Sequence, residues 1–473
     1  MKRKKRPFPR GLWNGIDTRA LEREIARWKF SPLRRDQLCG ERYYTGEHEI
    51  LKKRRTAVGG EGGTVELYNL PNTKIVDNQY AKMVDQKVNY LLGKPPTFQT
   101  PNPAYAQALR GVFNNRFLRL LRRVGEDSLN GGIGWLYPCY GENGEFLFRR
   151  FAPYEILPFW KDAAHTELLA AVRVYEERLP GHERTAEHAE LFTPQGVYRY
   201  RLESGALREE SQAPTPYATA VNGEQHTPLN WNRIPLIPFA GNARGIPLIC
   251  RVKSLQDGIN LILSVFSDHL QEDVRNTILV LVNYDGENLA EFRRNLSAYG
   301  AVKVRTVDGA PGDLKTLQVQ VNAGNYEAIL NLMKKALIEN ARGFDAKDER
   351  LSGNPNQMNI QSMYSDIDLD ANGMETEFQA SFEELLYFVN AHLANTGHGD
   401  FSAEPLQVVF NRDVLVNESQ TIADIQNSVG LLSQRTLIAQ HPYVRSVEEE
   451  LLQKQKEAGT VAGVSQTPAQ PQA

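Results

Sequence analysis

Two amphipathic segments of similar length bracket a compact insertion, and this arrangement limits the possible folds more than any other feature of the sequence. In the first segment, 251–272, apolar residues recur at helical spacing at Leu255, Ile259, Ile262, Phe266 and Leu270. In the second, 326–342, the apolar face consists of Ile329, Leu330, Met333, Leu337 and Ile338. Because two such helices fold back on each other, we expect an antiparallel stalk that carries residues 273–324 at its tip.

The chain before the stalk changes from a helical period to a strand period. Helices are predicted over 75–92 and over 104–130. Two aromatic runs that start at Trp135 and Phe146 flank the turn sequence 141–144 and predict a β-hairpin. Further strands of an antiparallel meander are predicted at 170–175, 189–192 and 197–201, followed by a polar, proline-containing loop at 209–231.

The insertion and the C-terminal part of the chain complete the secondary-structure prediction. In the insertion we expect strands at 278–282, 301–305 and 314–321 and a helix at 289–299. A polar loop spans 344–355. A long helix follows, with the apolar stripe Met374, Phe378, Phe382, Leu385, Val389 and Leu393. A strand at 406–410, helices at 419–433 and 447–457 and a disordered tail from residue 459 are the last predicted elements.

Length, charge and cysteine content exclude several classes of protein. A chain of 473 residues is too long for one ordinary core, so at least two domains are expected. The net charge of -2 means that a nucleic acid, if one is a partner, is not held by bulk cationic attraction. Three distant cysteines argue against a disulfide framework or a zinc site and fit a reducing compartment.

The N-terminus and the apolar runs give no sign of a secretory signal or a membrane span. Residues 1–7 are basic but no apolar stretch follows them, and the most apolar run, 277–282, has the length of a strand. We interpret the basic start as a solvated tail, with a nucleic-acid or targeting role as the alternative.

The sequence contains no common short catalytic or cofactor motif. There is no phosphate-binding G-x-x-x-x-G-K-[ST] loop, no H-E-x-x-H, no G-x-S-x-G and no G-x-G-x-x-G at a helix start, and the nine histidines are scattered. A calcium-loop spacing begins at Asp368, Asp370, Asn372 and Gly373, but Gln379 occupies the position of the closing glutamate. An acidic helix with a glycine kink is the alternative interpretation. We therefore expect no enzyme activity, no cofactor and no metal site.

The stretch from 344 to 385 is strongly acidic. Its acids are Asp345, Asp348, Glu349, Asp366, Asp368, Asp370, Glu375, Glu377, Glu383 and Glu384, against Lys347 and Arg350 as the bases. One interpretation is a solvated helix face. The other is a wall that repels phosphates and lets DNA slide past, because DNA binds basic surfaces through the release of counterions.

Several blocks of sequence, taken in their order and spacing, resemble the portal proteins of tailed bacteriophages, in particular long-tailed phages of Gram-positive hosts. The blocks are YYTGEH at 43–48, NTKIVDNQYA at 72–81, YLLGKP at 90–95, RIPLIPF at 233–239, VKSLQDGIN at 252–260, SGN at 352–354, LSQRTL at 432–437 and HPYV at 441–444. The resemblance extends over roughly 42–457. It implies an α+β portal fold with an α/β wing, a two-helix stem, a small α/β clip and a helical crown, assembled as a ring, typically of twelve subunits.

The resemblance assigns each part of the chain a place in that fold. The expected regions are a basic N-terminal arm at 1–60, the wing at 61–250, stem helices at 251–272 and 325–343, the clip at 273–324, a tunnel loop at 344–356, a long wing helix and strand at 357–418, the crown at 419–458 and a disordered tail at 459–473. In relatives the tunnel loop projects towards DNA. This implies DNA-channel residues at Asp345, Lys347, Asp348, Glu349, Arg350, Ser352 and Asn354. The acids Asp366, Asp368 and Asp370 are candidates for a position next to the channel.

The function implied is that of a passive conduit. Double-stranded DNA passes through the ring at one capsid vertex during packaging and ejection, while the terminase large subunit hydrolyses ATP. Scaffold protein, major capsid protein and a head-completion or adaptor protein are the other implied partners, with no membrane. The expected location is the virion, and the host cytoplasm during assembly. Two alternatives are a non-enzymatic adaptor or structural protein and a nuclease of a mobile element. The sequence departs from relatives at Gly258, where a bulkier residue is more usual, and in the mixed charge of the tunnel loop.

Overall fold

A computed structural model describes the structure of most of the chain. The described residues are 17–58, 64–67, 70–178, 185–211, 213–222, 225–273, 278–282, 313–317, 323–345, 357–412, 418–444, 447, 450–454 and 456. They form a mixture of helices and antiparallel sheets, as expected for an α+β protein. The chain divides into two compact units. The helical unit comprises Pro32–Val84 and Pro247–Ala341, and the sheet unit comprises Met1–Ser31, Asp85–Ile246 and Arg342–Ala473.

The secondary-structure elements are numbered in chain order. The helices are α1 (Thr18–Lys29), α2 (Pro32–Tyr44), α3 (Gln79–Leu92), α4 (Pro103–Val112), α5 (Asn115–Gly131), α6 (Ile249–Asp273), α7 (Ala323–Ala341), α8 (Gln357–Asn395), α9 (Glu418–Asn427) and α10 (Gln434–Gln440). The strands are β1 (Thr56–Val58), β2 (Thr64–Glu66), β3 (Thr97–Gln99), β4 (Ile133–Tyr140), β5 (Phe146–Phe151), β6 (Ile156–Trp160), β7 (Leu168–Arg178), β8 (Thr185–Thr193), β9 (Gly196–Glu203), β10 (Ala206–Glu209), β11 (Ala218–Asn222), β12 (Gln225–Leu229), β13 (Ile237–Ala240), β14 (Ile278–Val282), β15 (Asp313–Leu317) and β16 (Gln407–Val409). Short 3-10 turns occur at Glu49–Lys52 and Pro153–Glu155.

The sheet unit contains the predicted hairpin and meander. Strands β4 and β5 pair antiparallel around the turn at 141–144, and β13 joins the other edge of β4. Strands β6 to β10 form a five-stranded antiparallel sheet in chain order. The strand period is clearest in β9, where Tyr200 and Leu202 are buried while Arg199, Arg201 and Glu203 are exposed.

Part of the region named as the basic N-terminal arm, 1–60, is folded, whereas the basic start at 1–7 lies outside the described residues. Helix α1 packs against the meander with Leu21, Ile25 and Trp28, which are buried with Val172 and Leu191 in one core. These three apolar residues lie on one face of the helix, so a segment rich in arginine and lysine still contributes to a core.

Two predictions of loops and helices in the sheet unit are wrong. The stretch predicted as one helix over 104–130 is broken into α4 and α5, because the Asn114 side chain accepts hydrogen bonds from the N–H groups of Arg116 and Phe117 and starts a new helix. The predicted loop at 209–231 contains the hairpin β11–β12, in which Pro228 pairs opposite Thr219. A two-stranded sheet has only edge strands, where proline is tolerated.

The C-terminal elements follow the prediction in type and differ in extent. Helix α8 carries the predicted stripe, with Phe378, Phe382 and Leu385 buried. Strand β16 lies within the predicted 406–410 and pairs with β3. The helix predicted at 419–433 ends earlier, at Asn427, and Ser433 starts α10 by accepting a hydrogen bond from the N–H of Thr436. In the described part of the chain, no helix combines the length and the apolar character that a membrane span requires.

Two glycines of the sheet unit give a matched prediction of stability. A Cβ atom at Gly134 would lie 2.4 Å from the carbonyl oxygen of Val124, whereas nothing lies within 4 Å of one at Gly373 in α8. We expect Gly373→Ala to stabilise the fold by about 0.5–1 kcal/mol, because alanine loses less conformational freedom in a helix. Gly134→Ala is expected to destabilise it by about 1–3 kcal/mol, because backbone must move. Thermal unfolding midpoints that shift in opposite directions would support this, and equal shifts would contradict it.

Candidate functional site: the stalk and the segment that follows it

The predicted stalk is present in the helical unit. Helices α6 and α7 pack antiparallel, with the Phe266 and Tyr326 rings 4.9 Å apart near one end and Gly258 opposite Met333 further along. The Tyr326 hydroxyl also lies 3.1 Å from Nδ1 of His269. Strands β14 and β15 of the insertion form an antiparallel pair, which confirms the strand at 278–282 and the described part, 314–317, of the strand predicted at 314–321. The helix predicted at 289–299 and the strand at 301–305 lie outside the described residues.

Gly258 has a packing role that its sequence position did not reveal. A Cβ atom there would lie 2.3 Å from the terminal methyl carbon of Met333 in α7. The missing side chain is therefore the space into which Met333 packs. The glycine that departs from relatives at this position is thus explained by the close approach of α6 and α7.

One face of α6 is a buried polar ladder, defined as Gln256, Asn260, Ser264 and Asp268. Its side-chain oxygens accept hydrogen bonds of 2.6–3.0 Å from the backbone N–H groups of Tyr80, Asp77, Ile75 and Thr73, respectively. Four helical residues rise about 6.0 Å and two extended residues about 6.6 Å, so three steps of the ladder match every second N–H of the extended chain, at Thr73, Ile75 and Asp77. The fourth, Gln256, bonds the N–H of Tyr80 at the start of α3. The helix thus takes the place of a neighbouring β-strand.

The ladder explains why the helix predicted over 75–92 begins only at Gln79. The apolar residues of 75–78 fit a helical stripe, but the backbone N–H groups of Thr73, Ile75 and Asp77 are satisfied by side chains of α6 in an extended conformation. A local pattern cannot reveal a hydrogen-bond partner that is distant in sequence, here about 180 residues away.

Three of the sequence blocks that carried the resemblance meet around this ladder. The Asn260 amide lies 2.7 Å from His48, whose other ring nitrogen lies 2.9 Å from the Tyr43 carbonyl oxygen. The Tyr43 hydroxyl donates to Asp257 over 2.5 Å, and Lys253 donates to the same carboxylate over 2.6 Å. Burial and the bond to Asp257 raise the pKa of Tyr43 to about 12, and burial lowers the pKa of His48. At neutral pH both groups are therefore uncharged: His48 holds the Tyr43 backbone, and the Tyr43 hydroxyl links that residue to Asp257 of α6.

Beyond α7, the segment Arg342–Asp345 is held within the sheet unit by two consecutive residues of α3. The Gln86 side-chain amide donates to the Phe344 carbonyl oxygen over 2.7 Å and accepts from the Phe344 N–H over 2.8 Å. Lys87 donates to the Arg342 carbonyl oxygen over 3.1 Å. This segment is the start of the predicted tunnel loop, so these hydrogen bonds fix the backbone position at which the loop begins.

The predicted acids on α8 differ in their surroundings. Asp370 accepts from Lys87 over 2.7 Å and lies 3.5 Å from the Arg342 guanidinium. Asp368 accepts from the Tyr90 hydroxyl and lies 3.3 Å from Arg412. Asp366 is exposed. Two of the three carboxylates therefore face cations of the same unit, which reduces the negative field that they project.

The helical conformation of this stretch decides between the two interpretations of the calcium-like spacing. Residues 368–373 are part of helix α8. The Asp370 carboxylate forms ion pairs with Lys87 and Arg342. An EF-hand loop requires an open backbone turn around its ion. The acidic-helix interpretation is the one that the structure bears out.

The structure places only some of the predicted tunnel-loop residues. Asp345 is half-buried next to the clamped Phe344, while Lys347, Asp348, Glu349, Arg350, Ser352 and Asn354 lie outside the described residues. The sequence reasoning missed Gln86, Lys87 and the polar ladder. The ladder had a readable signal, namely polar residues at every fourth position of α6, but Gln86 and Lys87 had none.

Comparisons with known proteins agree in one family. The family model described as "Phage portal protein, SPP1 Gp6-like" matches residues 37–463. The chain is 29% identical over 453 residues to a portal protein of Bacillus phage SPP1, covering 94% of this chain and 87% of that protein. It is 25% identical over 434 residues to a portal protein of Clostridium phage phiCD119, covering 88% and 91%.

Solved structures with a similar fold come from particles of a gene transfer agent (GTA). One is the neck of the native GTA particle computed with C12 symmetry, with 11% identity, a TM-score of 0.42 and coverage of 76% of this chain and 88% of that chain. Another is the neck of the empty GTA particle computed with C6 symmetry, with 13% identity, a TM-score of 0.40 and coverage of 85% and 92%.

Proposed function

Since the chain belongs to the SPP1 Gp6-like family of phage portal proteins, we propose that its copies assemble into a ring at one capsid vertex through which double-stranded DNA is packaged and ejected. The observation that carries this proposal is the family match over 37–463, which includes both stalk helices and the polar ladder. The ring typical of the family has twelve subunits.

Surface chemistry of the stalk supports assembly into a ring. Four large apolar side chains of α6 and α7 are exposed in the single chain, at Leu261, Leu270, Ile329 and Leu332. Exposed apolar groups on a pair of packed helices are typical of a surface that another protein covers. In the proposed ring, the stalks of the two neighbouring subunits cover it.

The channel itself is proposed to act without chemistry of its own. The full sequence has no phosphate-binding loop, which agrees with ATP hydrolysis by a separate terminase large subunit. We place the terminase on the insertion 273–324. Scaffold protein and major capsid protein are proposed as assembly partners, and a head-completion or adaptor protein as the later one.

The DNA-facing part of the channel is proposed to be the segment 345–354, followed by the start of α8. Two observations support this. The backbone of Phe344, where the segment begins, is held by Gln86, and the carboxylate of Asp366 is exposed. Because Asp368 and Asp370 are paired with cations, their contribution to repelling phosphates is proposed to be smaller than that of Asp366. A photo-crosslinker at position 345 should react with packaged DNA, and one at Phe30, exposed in the sheet unit, should not. The reverse pattern would contradict this placement.

The ring and its role are tested by microscopy and complementation. The purified chain should form annular particles by negative-stain microscopy, and a copy supplied in trans should restore DNA-filled heads to a phage that lacks its own portal gene. A stable monomer, or a monomer that cleaves DNA with a metal ion, would contradict the proposal and favour the adaptor or the nuclease alternative.

A further inference from the structure

The Gln86 side chain forms two hydrogen bonds to the backbone of Phe344, one to its C=O and one from its N–H, as a neighbouring β-strand would. An extended residue presents its N–H and C=O on the same side, and an amide side chain offers one acceptor and one donor in the same plane. Gln86 uses both, at 2.8 and 2.7 Å. Two hydrogen bonds to the same residue fix the rotation of its backbone as well as its position.

Lys87 holds Arg342, two residues before Phe344, through a buried charge. Only 4% of its side chain is exposed, and its Nζ lies between the Arg342 carbonyl oxygen at 3.1 Å and the Asp370 carboxylate at 2.7 Å. A buried ammonium without such partners would cost several kcal/mol. Arg342 has a φ of 54°, which costs a residue with a side chain about 1–2 kcal/mol and persists only where its surroundings impose it.

The Phe344 ring supplies the third anchor. It is buried and stacks on Tyr364 of α8 with 4.4 Å between ring centroids, and Tyr90, one turn after Gln86 and Lys87, belongs to the same core. Backbone, charge and ring contacts thus act on two residues, Arg342 and Phe344, that lie just before Asp345.

We propose that Gln86 and Lys87 are positioning residues that set the direction in which the chain enters the DNA-facing segment. This inference rests on the proposed function, because the segment is assigned to the channel there. Neither residue contacts DNA in this proposal. They act through the Phe344 and Arg342 backbone, so their loss should change how the ring handles DNA and leave ring assembly unchanged.

The test compares Gln86→Ala with Asn89→Ala. Asn89 is an exposed amide on the same helix, so its variant controls for the loss of a polar side chain from α3. Hydrogen exchange at 342–345 should be about tenfold faster in Gln86→Ala than in the wild type, because about 1–1.5 kcal/mol of hydrogen bonding is lost. The yield of DNA-filled heads in complementation should fall by a similar factor, with annular particles of normal size. Gln86→Glu keeps the acceptor for the Phe344 N–H and should lie between the two.

Three results would overturn the inference. They are unchanged exchange at 342–345, faster exchange with a normal yield of DNA-filled heads, and loss of rings in Gln86→Ala but not in Asn89→Ala. Failure of the proposed function is recognised separately, because the wild-type chain would then give no rings or no complementation.

Discussion

Replacing Leu332 by glutamate is expected to abolish the ring and leave a folded subunit of 53.4 kDa. Leu332 lies in the middle of α7 and is 67% exposed in the single chain, so its side chain contributes little to the fold of that chain. In the proposed ring a neighbouring stalk covers it. A carboxylate enclosed in such an apolar contact costs several kcal/mol, and the cost recurs at every interface of a closed ring.

Two variants make this result specific to the apolar contact. Leu332→Met keeps an apolar side chain of similar volume and should keep the ring. Asn331→Glu places the same charge about 100° around the helix, at another exposed position, and should weaken assembly much less. Mass measurement and negative-stain microscopy give the assembly state, and circular dichroism verifies that each subunit is folded. Intact rings in Leu332→Glu would show that the exposed apolar face of the stalk is not a subunit interface.

The sequence predicted the parts of the fold that depend on local periodicity. The stalk helices, the hairpin β4–β5, the meander and the long helix α8 each repeat one apolar pattern over several turns or strands. Such a pattern reflects the burial of one face of the element. It therefore predicts the type of element without knowledge of what that face packs against.

The missed features depend on partners that are distant in sequence. The extended backbone at 73–77 is fixed by α6, and Phe344 is fixed by Gln86, which lies 258 residues earlier. No propensity of the local sequence encodes either contact. The acids of α8 show the same limit, because a count of charges cannot show that Asp370 is paired with Lys87 and Asp368 with Arg412.

Replacing Asp268 of the polar ladder by alanine is expected to destabilise the fold strongly. Only 2% of Asp268 is exposed, and its two oxygens accept from Lys53 over 2.8 Å and from the Thr73 N–H over 2.6 Å. Alanine leaves a largely buried ammonium and a backbone N–H without an acceptor. We expect destabilisation of about 3–5 kcal/mol, as when one partner is removed from a buried ion pair.

Two comparisons separate the charge from the hydrogen bond. Asp268→Asn keeps an oxygen for the Thr73 N–H and should cost about 1–3 kcal/mol. Gln271→Ala removes an exposed side chain that bonds to the Thr73 hydroxyl, and it should change stability by about 0.5 kcal/mol or less. Thermal unfolding under identical buffer conditions measures all three. A cost for Asp268→Ala no larger than that for Gln271→Ala would show that the ladder does not hold the extended segment.

The pH dependence gives an independent measure of the same contact. Burial raises the pKa of the Asp268 carboxyl, but the hydrogen bonds from Lys53 and Thr73 outweigh it, so the pKa lies below its ordinary value of 3.8. A carboxyl with a lowered pKa stabilises the fold fully above its ordinary value, and this contribution is lost as the pH falls through the folded-state pKa. The wild type should therefore be more stable than Asp268→Asn by a constant amount at neutral pH. The difference in unfolding midpoint should shrink only below about pH 4. A difference that disappears between pH 7 and pH 5 would assign the effect to another group.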